Sequence, residues 1–190
     1  VTVSLPANYT KKDTLGQQIY QGTGSLGFIM VIRAQNAANN KPLNKEKDLK
    51  NVFKKFAEGI QKQSQNGSIM NPRDTTIGQL EARVFTLRVD NSASTGEAAQ
   101  LRRFILLYTQ EATYTFEYFF PEARAELAKA ELKEFSNSIK ISNDLNRKDQ
   151  YLSNAKGMST PVKIALYGGV PLIIIITIIA INRRKKTFAA

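Results

Sequence analysis

Hydrophobic positions in the first third of the chain follow two different periods. In residues 1–5 (VTVSL) every second residue is apolar, which predicts a half-buried strand that ends at Pro6. The run LGFIMVIRAQ, residues 26–35, predicts a longer strand that is buried on both faces near its middle. Over residues 45–63 the apolar spacing changes to three and four, so we expect an amphipathic helix, with Asn44 capping its first turn.

The next part of the chain predicts three strands and a second helix. The segments TTIGQLEARVFTLRVD, AQLRRFILLYTQ and ATYTFEYFFP carry the strand signal, and short polar connections suit antiparallel neighbours. In the first segment both strand parities are apolar, which a bulge near Val84 would explain. Pro121 is expected at the first position of the second helix. The apolar face of that helix comprises Ala128, Leu132, Phe135 and Ile139.

These patterns predict an α+β fold in which an antiparallel sheet is covered by two amphipathic helices. A charge-free apolar run, residues 164–181, is unlike the rest of the chain. As a helix it would be about 27 Å long, close to the hydrocarbon thickness of a bilayer. A buried core strand or helix is the alternative, but the run is too long for a strand and has no polar stripe. We therefore expect one C-terminal transmembrane helix at residues 162–182.

Four consecutive cations follow this predicted helix, namely Arg183, Arg184, Lys185 and Lys186. Because cations after a span are retained on the cytoplasmic side, residues 183–190 are predicted to be a short basic cytoplasmic tail. The domain, residues 1–142, would then lie outside the cytoplasm, in the periplasm, a lumen or the cell exterior. Residues 143–161 would be a polar tether. The chain begins with Val1 rather than methionine, which removal of an export signal would explain.

Gly168, Gly169 and Pro171 lie in the outer half of the predicted transmembrane helix. Glycine lets a second helix approach closely and proline bends a helix, so these residues are candidate contacts with a partner's transmembrane helix. A plainer interpretation is that both residue types are frequent in membrane helices. If these residues do contact a partner helix, the protein has two partners, the bilayer and a larger membrane protein complex.

Composition removes several classes of function. The chain has 27 Lys and Arg against 16 Asp and Glu, a net charge of +11, but the cations outside the tail are scattered, so we expect no nucleic-acid partner. It has no His and no Cys, which excludes Ser/His/Asp and Cys/His catalysis, disulfides, and the usual zinc and copper ligands. A Ser/Lys pair or a bound hard cation stays open, although no spacing singles one out. We expect no enzyme activity, no metal site and no cofactor.

Two motifs have both a structural and a functional interpretation. The sequence GTGSLG, residues 22–27, matches a dinucleotide-binding pattern, but a strand follows it instead of a helix, so we interpret it as a turn between two strands. One face of the last predicted strand carries Tyr114, Phe116, Tyr118 and Phe120. These rings could form a wall for a hydrophobic ligand. A place in the core beneath the helices is the favoured interpretation, because large aromatic side chains are mostly buried.

The order of the predicted elements, with VSLP near the start and SNSIKIS after the second helix, resembles the PsbP-like superfamily over residues 1–142. That group includes lumenal photosystem subunits, bacterial lipoproteins and a nuclear import factor that binds the GTPase Ran. The resemblance implies an α/β/α sandwich that is non-enzymatic and docks onto larger assemblies. It supplies no functional residue, since the histidines attributed to metal handling in the photosystem members have no counterpart here.

The leading hypothesis from the sequence is a non-catalytic, single-pass membrane-anchored accessory or binding subunit. A cytosolic tail-anchored adaptor is the alternative, with the domain facing the cytoplasm and the short tail translocated. An enzyme that uses a Ser/Lys pair or a bound metal is third.

Overall fold

Seven strands and two helices make up the described part of the chain. The computed structural model describes residues 1–38, 41–64, 66–90, 96 and 98–153. The strands are β1 (Thr10–Thr14), β2 (Gln17–Thr23), β3 (Phe28–Gln35), β4 (Gly67–Ile77), β5 (Leu80–Val89), β6 (Gln100–Tyr108) and β7 (Ala112–Pro121). The helices are α1 (Glu46–Gln63) and α2 (Ala125–Ser138), with short 3₁₀ turns at Glu122–Arg124 and Arg147–Asp149.

All seven strands form one antiparallel sheet in the order β1-β2-β3-β7-β6-β5-β4. The last strand in sequence, β7, lies at the centre, where Phe119 is opposite Phe28 of β3 and also opposite Arg102 of β6. The strand between Leu26 and Gln35 and the three later predicted strands are therefore all present. Because β7 is central, residues on both of its faces are buried, including Phe116 and Tyr118 on one face and Thr115 and Glu117 on the other.

The two helices cover opposite faces of this sheet. The side chains of β5 divide between two clusters, with Leu80, Ala82 and Val84 on the α2 side and Phe85, Leu87 and Val89 on the α1 side. The buried helix residues are Leu49, Phe53 and Ala57 of α1 and Ala128 and Phe135 of α2. Because successive strand residues point to opposite faces, this division places one helix on each face. The predicted α+β fold, an antiparallel sheet with two covering helices, is confirmed.

The bulge predicted near Val84 is wrong. β5 pairs with β6 without a register shift. The shift lies in the neighbouring strand β4, between Met70 and Arg73, where Asn71 has a positive φ of 50°. Both parities of β5 are apolar because both faces of the sheet are covered.

The N-terminal part of the sheet differs from the prediction. Residues 1–5 form no strand and make a single bridge between Thr2 and Lys140, although Val1, Val3 and Leu5 do pack against the α2-side cluster. The hairpin is formed instead by β1 and β2, two strands that no hydrophobic pattern in the sequence predicts. Four of the five residues of β1 are exposed, so this edge strand lacks the alternation by which strands are predicted.

Both helices begin slightly differently from the prediction. The side chain that caps α1 is Asp48, whose carboxylate Oδ2 accepts from the backbone N–H groups of Lys45 at 3.0 Å and Asn44 at 3.2 Å. Pro121 ends β7, and a 3₁₀ turn precedes the first residue of α2, Ala125. The capping acid still lies in the first turn, where a negative charge suits the helix dipole.

The packed domain continues beyond Ser142, where the sequence places the start of a tether. Gln150 is fully buried, and its side-chain amide donates to the carbonyl oxygens of Glu81 at 2.7 Å and Tyr108 at 2.9 Å. Its side-chain oxygen accepts from the N–H of Glu81 at 2.8 Å. The next residue, Tyr151, is 1% exposed. Residues 143–153 therefore belong to the domain, and the remainder of the predicted tether, residues 154–161, lies outside the described residues.

Candidate functional site

The site residues predicted from the sequence lie outside the part of the chain that the structure describes. These are the proposed helix contacts Gly168, Gly169 and Pro171 and the topology signal Arg183, Arg184, Lys185 and Lys186. Neither helix within the described ranges combines the length and the apolar character needed to cross a membrane. The candidate surfaces described next are those of the domain itself.

A groove of about 550 Å³ runs beside α2 on one face of the domain. Its walls are residues 4–8, the β2–β3 turn and the side of α2, and its floor includes Ile29 and Phe135. The N-terminal wall is held by a hydrogen bond from the Ser4 N–H to the Ser138 Oγ at 3.1 Å. The Ser138 hydroxyl in turn donates to the carbonyl oxygen of Phe135 at 2.7 Å. These bonds join the N-terminal segment to α2 and give the groove two defined sides.

The glycine-rich sequence GTGSLG forms one end of this groove. It connects β2 to β3, as predicted, and the Gly24 N–H donates to the carbonyl oxygen of Gly27 at 2.8 Å. The carboxylate of Glu131 on α2 accepts from the N–H groups of Ser25 at 3.1 Å and Leu26 at 2.8 Å. In a nucleotide site, backbone N–H groups of such a turn would bind phosphate. Here two of them already bind a carboxylate of the protein, so the turn is structural.

Gly27 is a glycine because the central strand passes very close to it. A Cβ at this position would meet the carbonyl oxygen of Phe119 at 2.6 Å and the ring of Tyr118 at 2.6 Å. Both distances are shorter than a carbon contact allows, so any side chain would push the turn away from β7.

The aromatic stripe of β7 belongs to the core, as its favoured interpretation states. Phe116, Tyr118 and Phe120 are buried in the cluster beneath α2. The ring of Tyr118 lies 5.4 Å from that of Phe120 and 6.3 Å from that of Phe135 in α2, between centroids. Burial raises the pKa of the Tyr118 hydroxyl, and the neighbouring Glu131 raises it further. Tyr114, at the end of the stripe, is half-buried beside a smaller cavity of about 270 Å³.

Glu117 is a buried acid on the other face of β7, and it is not among the site residues predicted from the sequence. It is 5% exposed and lies opposite Met30 of β3 and Phe104 of β6. Burial raises the pKa of its carboxyl group to about 7, and the nearby Arg102 guanidinium opposes that rise. The guanidinium of Arg102 lies 5.0 Å from the ring centroid of Phe119. An acid among aromatic residues in EYFF is the signal that could have indicated this group.

The groove offers polar and apolar groups that can bind a partner. Its rim carries Glu134, which is exposed, and the partly buried Glu131, above an apolar floor. Among the residues that the structure describes, no three His, Cys, Asp or Glu side chains are grouped as metal ligands. Carboxylates next to an apolar floor suit a partner segment that presents an apolar side chain beside a cation.

Comparison with protein-family models and with curated proteins assigns no family to this chain. No protein-family model matches it, and no curated protein matches it either.

Proposed function

We propose that the protein is a non-catalytic accessory or binding subunit that docks onto a larger membrane protein complex. In this proposal residues 162–182 form a single transmembrane helix and the domain, a PsbP-like α/β/α sandwich, lies outside the cytoplasm. The observation that carries the proposal is the charge-free run of residues 164–181, followed within two residues by four cations. The function requires the bilayer and a membrane protein as partners, and it requires neither a cofactor nor a nucleic acid.

The groove beside α2 supports a docking role for the domain. Its apolar floor at Ile29 and Phe135 can accept a side chain, and the exposed carboxylate of Glu134 can pair with a cation at the rim. The Glu131 carboxylate accepts two hydrogen bonds from the β2–β3 turn, and these bonds hold that wall of the groove in one geometry. The partner would thus be recognised by shape and charge on a surface formed in advance.

The membrane helix provides the second proposed contact and the sharper test. Replacing both Gly168 and Gly169 by leucine fills the surface on which a partner helix would pack, so we expect the doubly substituted protein to be lost from the complex. Ile175→Leu, in the same predicted helix, keeps the side-chain volume and is the matched control. It should leave the association unchanged.

The measurement is extraction in a mild detergent, followed by size-exclusion chromatography and identification of co-purifying membrane proteins. The unsubstituted protein and the Ile175→Leu variant should elute with a partner, and the double variant should elute alone. A monomeric single-pass protein without a co-purifying membrane protein would reject the subunit proposal.

A further inference from the structure

Leu15, at the tip of the β1–β2 hairpin, is the most exposed large apolar side chain among the residues that the structure describes. Its relative exposure is 101%, so it contributes nothing to the core. Thr14 pairs with Gln17, which leaves Leu15 and Gly16 as a two-residue turn. Both have positive φ angles, 44° and 78°. Such turns favour Asn-Gly or Gly-Gly, because a leucine in the left-handed region is strained. Turn formation therefore does not account for a leucine at this position.

The hairpin tip lies at one end of the sheet, and backbone hydrogen bonds show what else lies there. The Gln35 N–H donates to the Gly16 carbonyl oxygen at 3.1 Å, which joins the tip to the end of β3. The Asn36 N–H donates to the Glu111 carbonyl oxygen at 2.9 Å, which joins the end of β3 to the β6–β7 turn. In that turn the Gln110 N–H donates to the Asp149 carbonyl oxygen at 2.6 Å. The hairpin tip and the last described segment thus share the same end of the sheet.

Backbone hydrogen bonds hold Leu152 and Ser153 at this same end of the domain. Leu152 and Ser153 donate their N–H groups to the carbonyl oxygens of Leu43 and Asn44, each at 2.9 Å. The preceding Tyr151 is buried, and its hydroxyl donates to the Glu81 Oε1 at 2.9 Å. The side chain of Leu152, by contrast, is 57% exposed. A second large apolar side chain therefore projects into solvent on the end that carries Leu15.

We propose that this end of the sheet faces the lipid bilayer and that Leu15 inserts into the bilayer interface. The inference rests on the proposed membrane anchor at residues 162–182. The eight residues 154–161 between Ser153 and that anchor reach at most about 28 Å when fully extended, which limits the distance from Ser153 to the membrane surface. Two exposed cations lie at the same end, Lys41 in the segment after β3 and Lys148 in the 3₁₀ turn Arg147–Asp149, and anionic phospholipid headgroups suit their charge.

With this orientation, the groove beside α2 would have its glycine-rich end directed away from the membrane. The β2–β3 turn, which forms one end of the groove beside α2, lies at the opposite end of strands β2 and β3 from Leu15. With Leu15 at the bilayer, the glycine-rich turn points away from the membrane, toward the exposed domain of a partner.

The test uses the absence of cysteine from the chain, which lets one introduced cysteine carry one label. Leu15→Cys in the full chain is labelled with an environment-sensitive fluorophore and reconstituted in vesicles of phosphatidylcholine with a minority of phosphatidylglycerol. The matched control is Leu127→Cys, because Leu127 is also an exposed leucine, 65%, but lies in the first turn of α2 at the other end of the domain. Quenching is measured with a nitroxide carried on the lipid and, separately, with a water-soluble quencher.

We expect the lipid-borne nitroxide to quench the label at residue 15 about threefold more than the label at residue 127, and the soluble quencher to show the reverse order. Flotation of the same vesicles reports the anchor independently. Protein that floats with equal quenching at the two sites would overturn the bilayer-facing orientation and leave the membrane anchor intact. Protein that does not float would overturn both the anchor and the orientation.

Discussion

Replacing Phe53 by alanine is expected to lower the free energy of unfolding by about 3–5 kcal/mol. Phe53 is 3% exposed and belongs to the α1-side cluster, in which the rings of Phe85 and Phe104 stack with centroids 4.8 Å apart. The substitution removes a whole ring from beneath α1 and leaves a cavity that the stacked pair cannot fill without rearranging. Urea unfolding of the full chain in a mild detergent, followed by near-ultraviolet circular dichroism, measures the loss.

Two positions on the same helix provide matched controls for this prediction. Lys54→Ala should change the stability by less than about 0.5 kcal/mol, because the Lys54 side chain is 71% exposed and its contact with Glu58, at 3.8 Å, is a surface ion pair. Phe56→Ala should fall between the two, since Phe56 is half-buried at the edge of the same cluster. Equal losses at residues 53 and 54 would show that α1 covers the sheet with a different face.

Glu117→Gln is expected to make the protein more stable at pH 8 by about 3 kcal/mol, and to have little effect at pH 4, below the ordinary carboxyl pKa. Burial raises the pKa of this carboxyl group in the folded state to about 7, from an ordinary value of 4.5. Between these two values the folded state binds more protons than the unfolded state, so stability falls as the pH rises through that window. Glutamine has nearly the same shape and no charge, and it avoids this loss.

Unfolding experiments at a series of pH values across this window would measure the effect. Glu134→Gln is the control, because it makes the same chemical change at an exposed carboxylate on α2. A Glu117→Gln variant with the same pH dependence as the unsubstituted protein would mean that Glu117 is ionised in the folded state and that Arg102 outweighs its burial.

The sequence predicts the helices and strands in which buried side chains recur at a regular spacing. It does not predict the strands that lack such a spacing. The helix over residues 45–63 and strands β3, β5, β6 and β7 each carry a sustained period, because each packs against a covered face. β1 has almost no buried residue, and the first half of β4 is mostly exposed and bulged. Edge strands are defined by backbone pairing, which leaves no trace in side-chain hydrophobicity.

Single polar side chains hold parts of the groove and of the C-terminal segment in place, and no periodic pattern in the sequence predicts them. Glu131 looks like one more surface acid of α2 until the fold brings it to the N–H groups of the β2–β3 turn. Gln150 lies in a polar stretch that resembles a tether, yet three hydrogen bonds allow it to be fully buried. Only the tertiary structure supplies these partners, so local sequence cannot reveal them.

The topology of the chain in sealed cells or spheroplasts tests the central claim most directly. Protease is added from outside, and the fate of the domain and of the C-terminal residues 183–190 is followed with antibodies or tags. A membrane-anchored subunit with an extracytoplasmic domain predicts that the domain is digested, while the basic tail stays protected until the membrane is permeabilised. Complete protection of the domain in intact cells, with full digestion after permeabilisation, would contradict the account and favour the cytosolic tail-anchored adaptor.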